Sequence, residues 1–200
     1  VEPAAVGAHA AARAGDLRGK NVVVSGAGTI GNLVAQAVIA SGAKRVLITD
    51  VSDYRLEIAR RCGIAETLNV LHTPLKDAVR EVFADEGFQV CFEVAGVESS
   101  LRSLMESVEK GGTVVVVAVF GEDPRLSMFH LGEHELNLVG TMMYRHEDYL
   151  LTVKNIADGS IKLDALISNS FPFEKYAQAY KFIDESRGKS MKVIINLDAS

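Results

Sequence analysis

One short segment near the N-terminus carries the strongest structural signal in the chain, Asn21-Val-Val-Val-Ser-Gly-Ala-Gly-Thr-Ile-Gly31. Its first half is a run of β-branched residues, which is typical of a strand buried in a parallel sheet. Its second half has the spacing G-x-G-x-x-G, and apolar side chains at helical spacing then predict a helix over residues 30–41. The segment therefore predicts a strand, a glycine-rich turn and a helix in direct succession.

The glycines of this turn have separate physical roles in a dinucleotide site. Gly26 permits the tight turn, Gly28 lets the backbone approach a pyrophosphate, and Gly31 lets the helix pack closely on the sheet. Thr29 and Ile30 belong to the same predicted site, because a helix N-terminus offers free N–H groups and a positive dipole end to phosphates. A glycine turn without a ligand is the alternative, and the strand and helix around the turn favour the binding site.

An acidic residue follows the next predicted strand, residues 45–49. Asp50 lies 19 residues after Gly31, and a carboxylate there can accept hydrogen bonds from both hydroxyls of an adenosine ribose. It would repel a 2′-phosphate, so the sequence predicts NAD rather than NADP. Alternatively, Asp50 caps the helix predicted over residues 53–62. Arg55 is expected either beside the adenine or in solvent as a surface cation.

The rest of the chain alternates between predicted helices and strands. Further helices are predicted over residues 3–14, 74–85, 98–109, 147–158 and 173–185, and further strands over 88–94, 113–119, 135–141, 165–168 and 191–195. Such repeated units imply a parallel sheet with helices on both faces. We predict an α/β fold of the Rossmann type, a doubly wound sheet of about six parallel strands in the order 3-2-1-4-5-6. In the last helix, Tyr176 and Tyr180 are expected to pack in the core.

The composition limits the classes of protein that this chain can represent. It has 200 residues, of which 48% are hydrophobic and 24% charged. This is enough apolar surface for one core, and it excludes a mainly disordered chain. The net charge of −5 gives no basic surface for nucleic acid. No apolar run reaches the ~18 residues of a membrane span, so no membrane partner is expected.

The two cysteines, Cys62 and Cys91, lie in unlike contexts, one after a predicted helix and one inside an apolar strand. They indicate neither a disulfide framework nor a zinc knuckle. Unpaired thiols are typical of a reducing compartment, so a cytoplasmic location is expected.

A second string, His130-Leu-Gly-Glu-His134, fits the H-x-x-E-H pattern of some zinc peptidases. On a helix the two imidazoles would share one face, but Gly132 weakens a helix at this place. We therefore interpret the string as a surface connection ahead of the strand predicted over residues 135–141.

Taken together, the sequence resembles the coenzyme-binding half of zinc-dependent medium-chain alcohol and polyol dehydrogenases, and most of all the sorbitol (iditol), butanediol and threonine dehydrogenase branch. The matching landmarks are Val1-Glu-Pro-Ala-Ala-Val-Gly-Ala-His-Ala10, Gly19-Lys-Asn-Val-Val-Val-Ser-Gly-Ala-Gly-Thr-Ile-Gly31, Phe92-Glu-Val-Ala-Gly96, Gly111-Gly-Thr-Val114, Gly140-Thr-Met-Met-Tyr144 and Phe171-Pro-Phe-Glu174. The resemblance implies one dinucleotide-binding domain over residues 1–200, cut from a larger protein. Residues 1–18 would be a lead-in helix from an N-terminal catalytic domain.

The resemblance also implies coenzyme contacts from residues that follow later strands: Val94, Ala95, Gly96, Val117, Ala118, Val119 and Met142. The first three would border the adenosine, and the backbone of the next three would face the nicotinamide carboxamide. Met142 and Met143 stand where the sorbitol branch has Phe-Arg, so the chain departs from that branch there. Glu2 matches the family glutamate near the catalytic zinc, bound directly or through water.

The implied parent is an NAD-dependent, zinc-dependent dehydrogenase that transfers hydride from a secondary alcohol or polyol to NAD. The parent would form a homodimer or a higher homo-oligomer, and this chain alone would bind coenzyme without turnover. One alternative is a non-catalytic NAD-binding or sensing module. Another is an S-adenosylmethionine methyltransferase, which also has a glycine-rich first loop and an acid after the second strand, but Gly31 argues against it.

Overall fold

The computed structural model describes residues 1–186 and 188–197, and its main element is a six-stranded parallel sheet. The strands are β1 (Asn21–Ser25), β2 (Arg45–Asp50), β3 (Glu66–Asn69), β4 (Val90–Glu93), β5 (Thr113–Val116) and β6 (Asn137–Gly140). They lie in the order β3-β2-β1-β4-β5-β6, and every neighbouring pair is parallel. The predicted fold class is confirmed, and the order has the predicted form 3-2-1-4-5-6, although the strand in third place in the chain is one that the sequence did not predict.

Helices cover both faces of this sheet, and the described residues form eight α-helices in all. They are α1 (Glu2–Arg13), α2 (Thr29–Ala40), α3 (Asp53–Arg61), α4 (Leu75–Phe83), α5 (Glu98–Ser107), α6 (Met128–Glu133), α7 (His146–Ala157) and α8 (Tyr176–Glu185). Alternate residues of β1 belong to different cores, since successive side chains of a strand point to opposite faces. Val22 and Val24 pack with α1, α2 and α3, whereas Val23 packs with α4 and α5. Both faces of β1 are therefore buried, which explains its uninterrupted run of valines.

Two elements of the sheet differ from the prediction. Strand β3 was not predicted, because its sequence Glu66-Thr-Leu-Asn69 is only half-buried and lacks an apolar run. The strand predicted over residues 113–119 ends at Val116, so residues 117–119 form a loop at the carboxyl end of the sheet.

The last two strands lie outside the main sheet. β7 (Ile167–Pro172) and β8 (Lys192–Asn196) pair with each other in a parallel two-stranded sheet. Helix α8 packs on this small sheet and buries Ala179. Tyr176 is 53% exposed and Tyr180 is 64% exposed, so the expectation that both tyrosines pack in the core is wrong. The two-stranded sheet is too small to cover a full face of the helix.

A buried polar contact joins the first helix to α7. Nδ1 of His9 lies 2.8 Å from Oδ2 of Asp148, and both residues are buried. The same carboxylate accepts the N–H of Arg145 at 2.8 Å, which satisfies one donor at the start of α7. Among the described residues, none of the helices is long and apolar enough to span a membrane.

Candidate functional site

A cleft of about 590 Å³ opens at the carboxyl ends of β1, β2 and β4. In doubly wound sheets, ligands bind at this end, where the strand order reverses. The reversal in this sheet falls between β1 and β4. The lining of the cleft includes six of the predicted site residues, namely Gly26, Gly28, Asp50, Arg55, Val94 and Ala95.

The glycine turn has the geometry that its three glycines require. Gly26 has a φ of +105°, and a Cβ there would lie 2.9 Å from the main-chain N of Ala95. A Cβ on Gly31 would collide with the carbonyl oxygen of Gly26. At Gly28, in contrast, a Cβ would have none of the described atoms within 4 Å. The turn is therefore closely packed at its first and third glycines and open at the second.

Helix α2 begins directly after this open position. Gly28 is its N-cap residue, and Thr29 and Ile30 are its first two residues. The first N–H groups of a helix have no partners within the helix, and together with the helix dipole they attract anions. The turn thus presents backbone donors toward the open space over Gly28.

Asn32 stabilises the glycine turn from the buried side of the turn. The sequence analysis did not identify this residue. Its Nδ2 donates to the carbonyl oxygen of Ala27 at 2.7 Å and to that of Gly28 at 3.1 Å. The residue is fully buried, although amides are mostly exposed in proteins. A lone amide among the apolar residues of a buried helix was the signal that could have revealed this role.

Asp50 connects the end of β2 to the glycine turn. Oδ2 accepts the N–H of Ala27 at 2.7 Å, and Oδ1 accepts the N–H of Ser52 at 2.9 Å. The guanidinium of Arg55 lies 3.7 Å from Oδ2 and lines the same cleft. Helix α3 is capped by Ser52, whose Oγ accepts the N–H of Arg55. Asp50 is therefore not the helix cap, and its carboxylate borders the cleft.

Glu93, at the end of β4, is a second polar residue that sequence reasoning did not single out. It is 0% exposed, and its Oε1 accepts the N–H groups of Ala95 at 3.1 Å and Gly96 at 3.0 Å. Burial raises the pKa of this carboxyl, while hydrogen bonds from Ser100 and the backbone oppose the rise. An acid in the apolar run Phe92-Glu-Val94 was the available signal.

The structure brings the loop after β4 against the loop after β5. Gly96 has a φ of +72°, and a Cβ on it would lie 3.3 Å from the carbonyl oxygen of Val119. Val117 and Ala118 are half-buried, and Val119 is 79% exposed. Met142, which follows β6, is 69% exposed and lies outside the lining of the cleft.

The possible metal ligands do not come together. Glu2 is exposed in the first turn of α1. Within residues 1–186 and 188–197, no three His, Cys, Asp or Glu side chains are grouped to hold a metal, whereas a catalytic zinc needs three protein ligands. His130 and His134 have ring centroids 5.3 Å apart at the short helix α6. The residues present thus do not fit a complete zinc site.

Both cysteines are buried free thiols. Burial raises the pKa of the Cys62 thiol and of the Cys91 thiol. The raised pKa values disfavour the thiolate, which is the reactive form of a cysteine.

This sheet order, with a glycine turn after β1 and an acid after β2, defines the coenzyme-binding class of Rossmann domains. The family model for zinc-binding dehydrogenases matches residues 29–158, and the chain belongs to that family. L-threonine 3-dehydrogenase from Legionella pneumophila (strain Corby) is 32% identical over 198 residues, which make up 98% of this chain and 57% of that protein. The chain thus spans little more than half the length of the curated relatives that it matches.

Solved structures agree with this assignment. L-idonate 5-dehydrogenase from Escherichia coli K-12 is 32% identical, with a TM-score of 0.86 over 98% of this chain and 55% of that one. A protein from Sinorhizobium meliloti 1021, solved with bound NADP, is 25% identical, with a TM-score of 0.84 over 98% of this chain and 58% of that one. The family resemblance that the sequence indicated is confirmed.

Proposed function

We propose that this chain is the coenzyme-binding part of an NAD-dependent dehydrogenase that transfers hydride from a secondary alcohol or polyol to NAD. The observation that carries the proposal is the pairing of Asp50 with the glycine turn, at the edge of an open cleft. Membership of the zinc-binding dehydrogenase family supports the reaction class.

The residues around the cleft fit the parts of a dinucleotide. The pyrophosphate would lie over Gly28, where a Cβ would meet open space, and would accept N–H groups from Thr29 and Ile30. The adenosine ribose would bind the carboxylate of Asp50, with Arg55 beside the adenine. When bound, the nicotinamide supplies the hydride acceptor of the reaction.

The second half of the coenzyme would extend across the sheet toward β4 and β5. Val94, Ala95 and Gly96 would border the adenosine side near the crossing point, and the loop of residues 117–119 would face the nicotinamide. The two loops follow the carboxyl ends of β4 and β5, which lie on the side of β1 away from β2 and β3. Met142 would lie at the outer end of this path, after β6.

NAD rather than NADP is proposed from electrostatics. A 2′-phosphate on the adenosine ribose would lie against the carboxylate of Asp50, and like charges at short distance repel. Arg55 is 3.7 Å from Oδ2 of Asp50 and would reduce that repulsion only in part. The Sinorhizobium meliloti protein was solved with NADP, and titration of this chain with both coenzymes tests the preference.

The proposed substrate is that of the whole dehydrogenase, of which this chain would be one part. Names such as L-threonine 3-dehydrogenase and L-idonate 5-dehydrogenase describe oxidation at an internal carbon, which supports a secondary alcohol as the substrate. Zinc would be held mainly by residues outside this chain, with Glu2 as the one contribution from it. We accordingly propose that residues 1–200 form the dinucleotide-binding domain, that residues 1–18 lead in from the catalytic domain, and that this chain alone does not turn over.

Two further properties are proposed with this function. In the described residues, β6 pairs on one side only, with β5, and an uncovered sheet edge invites a second copy. We therefore propose a homodimer in which the two β6 strands continue the sheet. The free thiols of Cys62 and Cys91 support a reducing compartment, which we propose to be the cytoplasm.

A non-catalytic NAD-binding module is the second candidate, because such a module needs only a coenzyme cleft like the one that the described residues form. Reading the coding sequence upstream of Val1 separates the two candidates. About 150 further residues with a G-H-E-type zinc segment would support the dehydrogenase, and their lack would support the module.

Calorimetric titration of the 200-residue chain with NADH and with S-adenosylmethionine tests the coenzyme site. We expect binding of NADH and no binding of S-adenosylmethionine. A chain that binds S-adenosylmethionine, or that binds neither ligand, would refute the proposal.

A further inference from the structure

Glu93 is the most deeply buried acid beside the cleft. It is 0% exposed at the carboxyl end of β4, one of the two strands between which the strand order reverses. Its Oε1 accepts the N–H of Ala95 at 3.1 Å and that of Gly96 at 3.0 Å, and Oε2 lies 3.2 Å from the same N–H of Gly96. Burial of a charge is costly unless hydrogen bonds compensate it, and here the backbone N–H groups of Ala95 and Gly96 come from one loop of the cleft.

The main chain of Glu93 holds the other loop. Its carbonyl oxygen accepts the N–H of Val117 at 2.9 Å and that of Ala118 at 3.1 Å, just beyond the end of β5. The two loops also touch, because the backbone of Gly96 packs against the carbonyl of Val119. A movement of the loop at residues 94–96 would therefore displace the loop at residues 117–119.

A chain of hydroxyl groups anchors this region to β1 and β2. Oγ of Ser100 lies 2.8 Å from Oγ of Ser25, and Oγ1 of Thr49 lies 3.2 Å from the same Ser25 oxygen. Ser25 also accepts the N–H of Val94 through its carbonyl. The base of the loop after β4 is thus fixed, which leaves the side chain of Glu93 to determine the path of residues 95 and 96.

We infer that Glu93 is a positioning residue for the nicotinamide half of the coenzyme, acting through the two loops that it holds. The inference rests on the proposed function, in which the adenosine half lies over β1 and β2 and the other half over β4 and β5. Asp50 and Glu93 then have corresponding roles, since each is the last residue of a different strand and fixes a different loop by accepting backbone N–H groups.

A glutamine at this position would reproduce the contact only in part, because its one oxygen could replace Oε1 but its NH₂ group would replace Oε2. A carboxylate can accept several N–H groups at once, whereas a carboxamide has one accepting oxygen and an NH₂ group that cannot accept. In the variant Glu93→Gln, the amide nitrogen would replace Oε2, which lies 3.2 Å from the main-chain N of Gly96, and the two facing donors would shift the loop at Gly96. The side chain would keep its length, so the change tests the hydrogen bonds rather than the packing.

The experiment compares two ligands in the 200-residue chain: NADH, and ADP-ribose, which lacks the nicotinamide. In Glu93→Gln, we expect NADH affinity to fall about tenfold and ADP-ribose affinity to stay within about twofold. Glu106→Gln on α5 removes an equal charge from an exposed position and should change neither affinity. Glu93→Asp keeps the charge on a shorter side chain and should lose less NADH affinity than Glu93→Gln.

The ratio of the two affinities separates positioning from general support of the fold. Equal losses for NADH and ADP-ribose in both Glu93 variants, or no loss in either, would overturn the inference. If Glu93→Gln does not fold, the ratio of NADH affinity to ADP-ribose affinity in Glu93→Asp tests the inference. A wild-type chain that binds neither ligand would refute the proposed function itself, whereas wild-type binding with an unchanged ratio in the variants would refute only the role of Glu93.

Discussion

The carboxylate of Asp50 accepts a hydrogen bond of 2.7 Å from the main-chain N–H of Ala27. This contact ties the end of β2 to the middle of the glycine turn that follows β1. The same side chain accepts the N–H of Ser52 at 2.9 Å, so both carboxylate oxygens are fixed in direction. A negative charge is therefore held at the edge of the cleft, where the ribose of a bound coenzyme would lie.

Removing the charge of Asp50 should change the choice of coenzyme. We expect the wild-type chain to bind NAD at least tenfold more tightly than NADP, which is ~1.4 kcal/mol. Asp50→Asn keeps an oxygen that can accept the N–H of Ala27 and removes the charge that repels a 2′-phosphate. It should therefore reduce the ratio of NAD affinity to NADP affinity. Asp50→Ala should reduce this ratio as well. Calorimetry with both coenzymes measures the ratio, with the exposed Asp53→Asn on α3 as the matched control. Equal wild-type affinities would refute the assignment of Asp50 to the ribose.

Alanine substitutions at two glycines should separate binding from stability. A Cβ on Gly28 meets open space, and its φ of −66° suits any residue. Gly28→Ala should therefore leave the free energy of unfolding within ~0.5 kcal/mol and lower NADH affinity at least tenfold, because the methyl group takes the space of the pyrophosphate.

Gly31→Ala is the counterpart, because its Cβ would collide with the carbonyl oxygen of Gly26. It should lower the free energy of unfolding by ~2 kcal/mol or more, as overpacked cores do. Chemical denaturation and NADH titration of both variants measure the two quantities. If Gly28→Ala bound NADH as tightly as the wild type, the open space would not be the pyrophosphate site.

The parts of the fold that the sequence predicts well are those in which local pattern and burial agree. Residues 21–31 combine a β-branched run with glycines that the turn physically requires, and the strand, turn and helix all form. Strand β3 escaped prediction because Glu66-Thr-Leu-Asn69 lies at the edge of the sheet and is only half-buried. An edge strand needs no continuous apolar run, so its sequence resembles a loop.

The features that the sequence did not predict depend on tertiary contacts. Strands β7 and β8 were predicted as strands, but their pairing with each other depends on partners far apart in sequence, which no local pattern specifies. Among site residues, Asn32 and Glu93 act through main-chain atoms of the loops that they hold. Those atoms are common to every residue, so the sequence marks these positions only by a polar side chain in an apolar surrounding.

The open edge of β6 should join two copies of the chain. Light scattering should give the mass of a dimer, and Leu138→Lys, in β6, should raise the dimer dissociation constant at least tenfold by placing a charge on the paired edge. Leu150→Lys is the control, because Leu150 is also exposed but lies on α7. A wild-type monomer at high protein concentration, or equal weakening by both substitutions, would contradict this arrangement.

The buried contact between His9 and Asp148 should stabilise the docking of α1 on α7. Asp148→Ala removes the acceptor of both His9 Nδ1 and the N–H of Arg145, and unsatisfied buried donors cost ~1–3 kcal/mol. We expect the free energy of unfolding to fall by ~2 kcal/mol in urea denaturation. Glu147→Ala, which removes an exposed carboxylate from the same helical turn, should cost much less, and equal losses would show that the buried pair adds nothing.

The 200-residue chain should bind NAD and yet oxidise no alcohol. Hydride leaves readily only from an alkoxide, and forming one near neutral pH needs a metal or a strong base beside the hydroxyl. The described residues hold no group of three metal ligands. Glu2, the one residue of this chain proposed to contact zinc, is exposed to water. An NADH absorbance assay with sorbitol, butanediol and threonine, with and without added zinc, should therefore show no turnover. Turnover by a metal-free sample, abolished by Tyr144→Phe or His146→Ala near the proposed nicotinamide end, would mean that this chain already contains a complete active site.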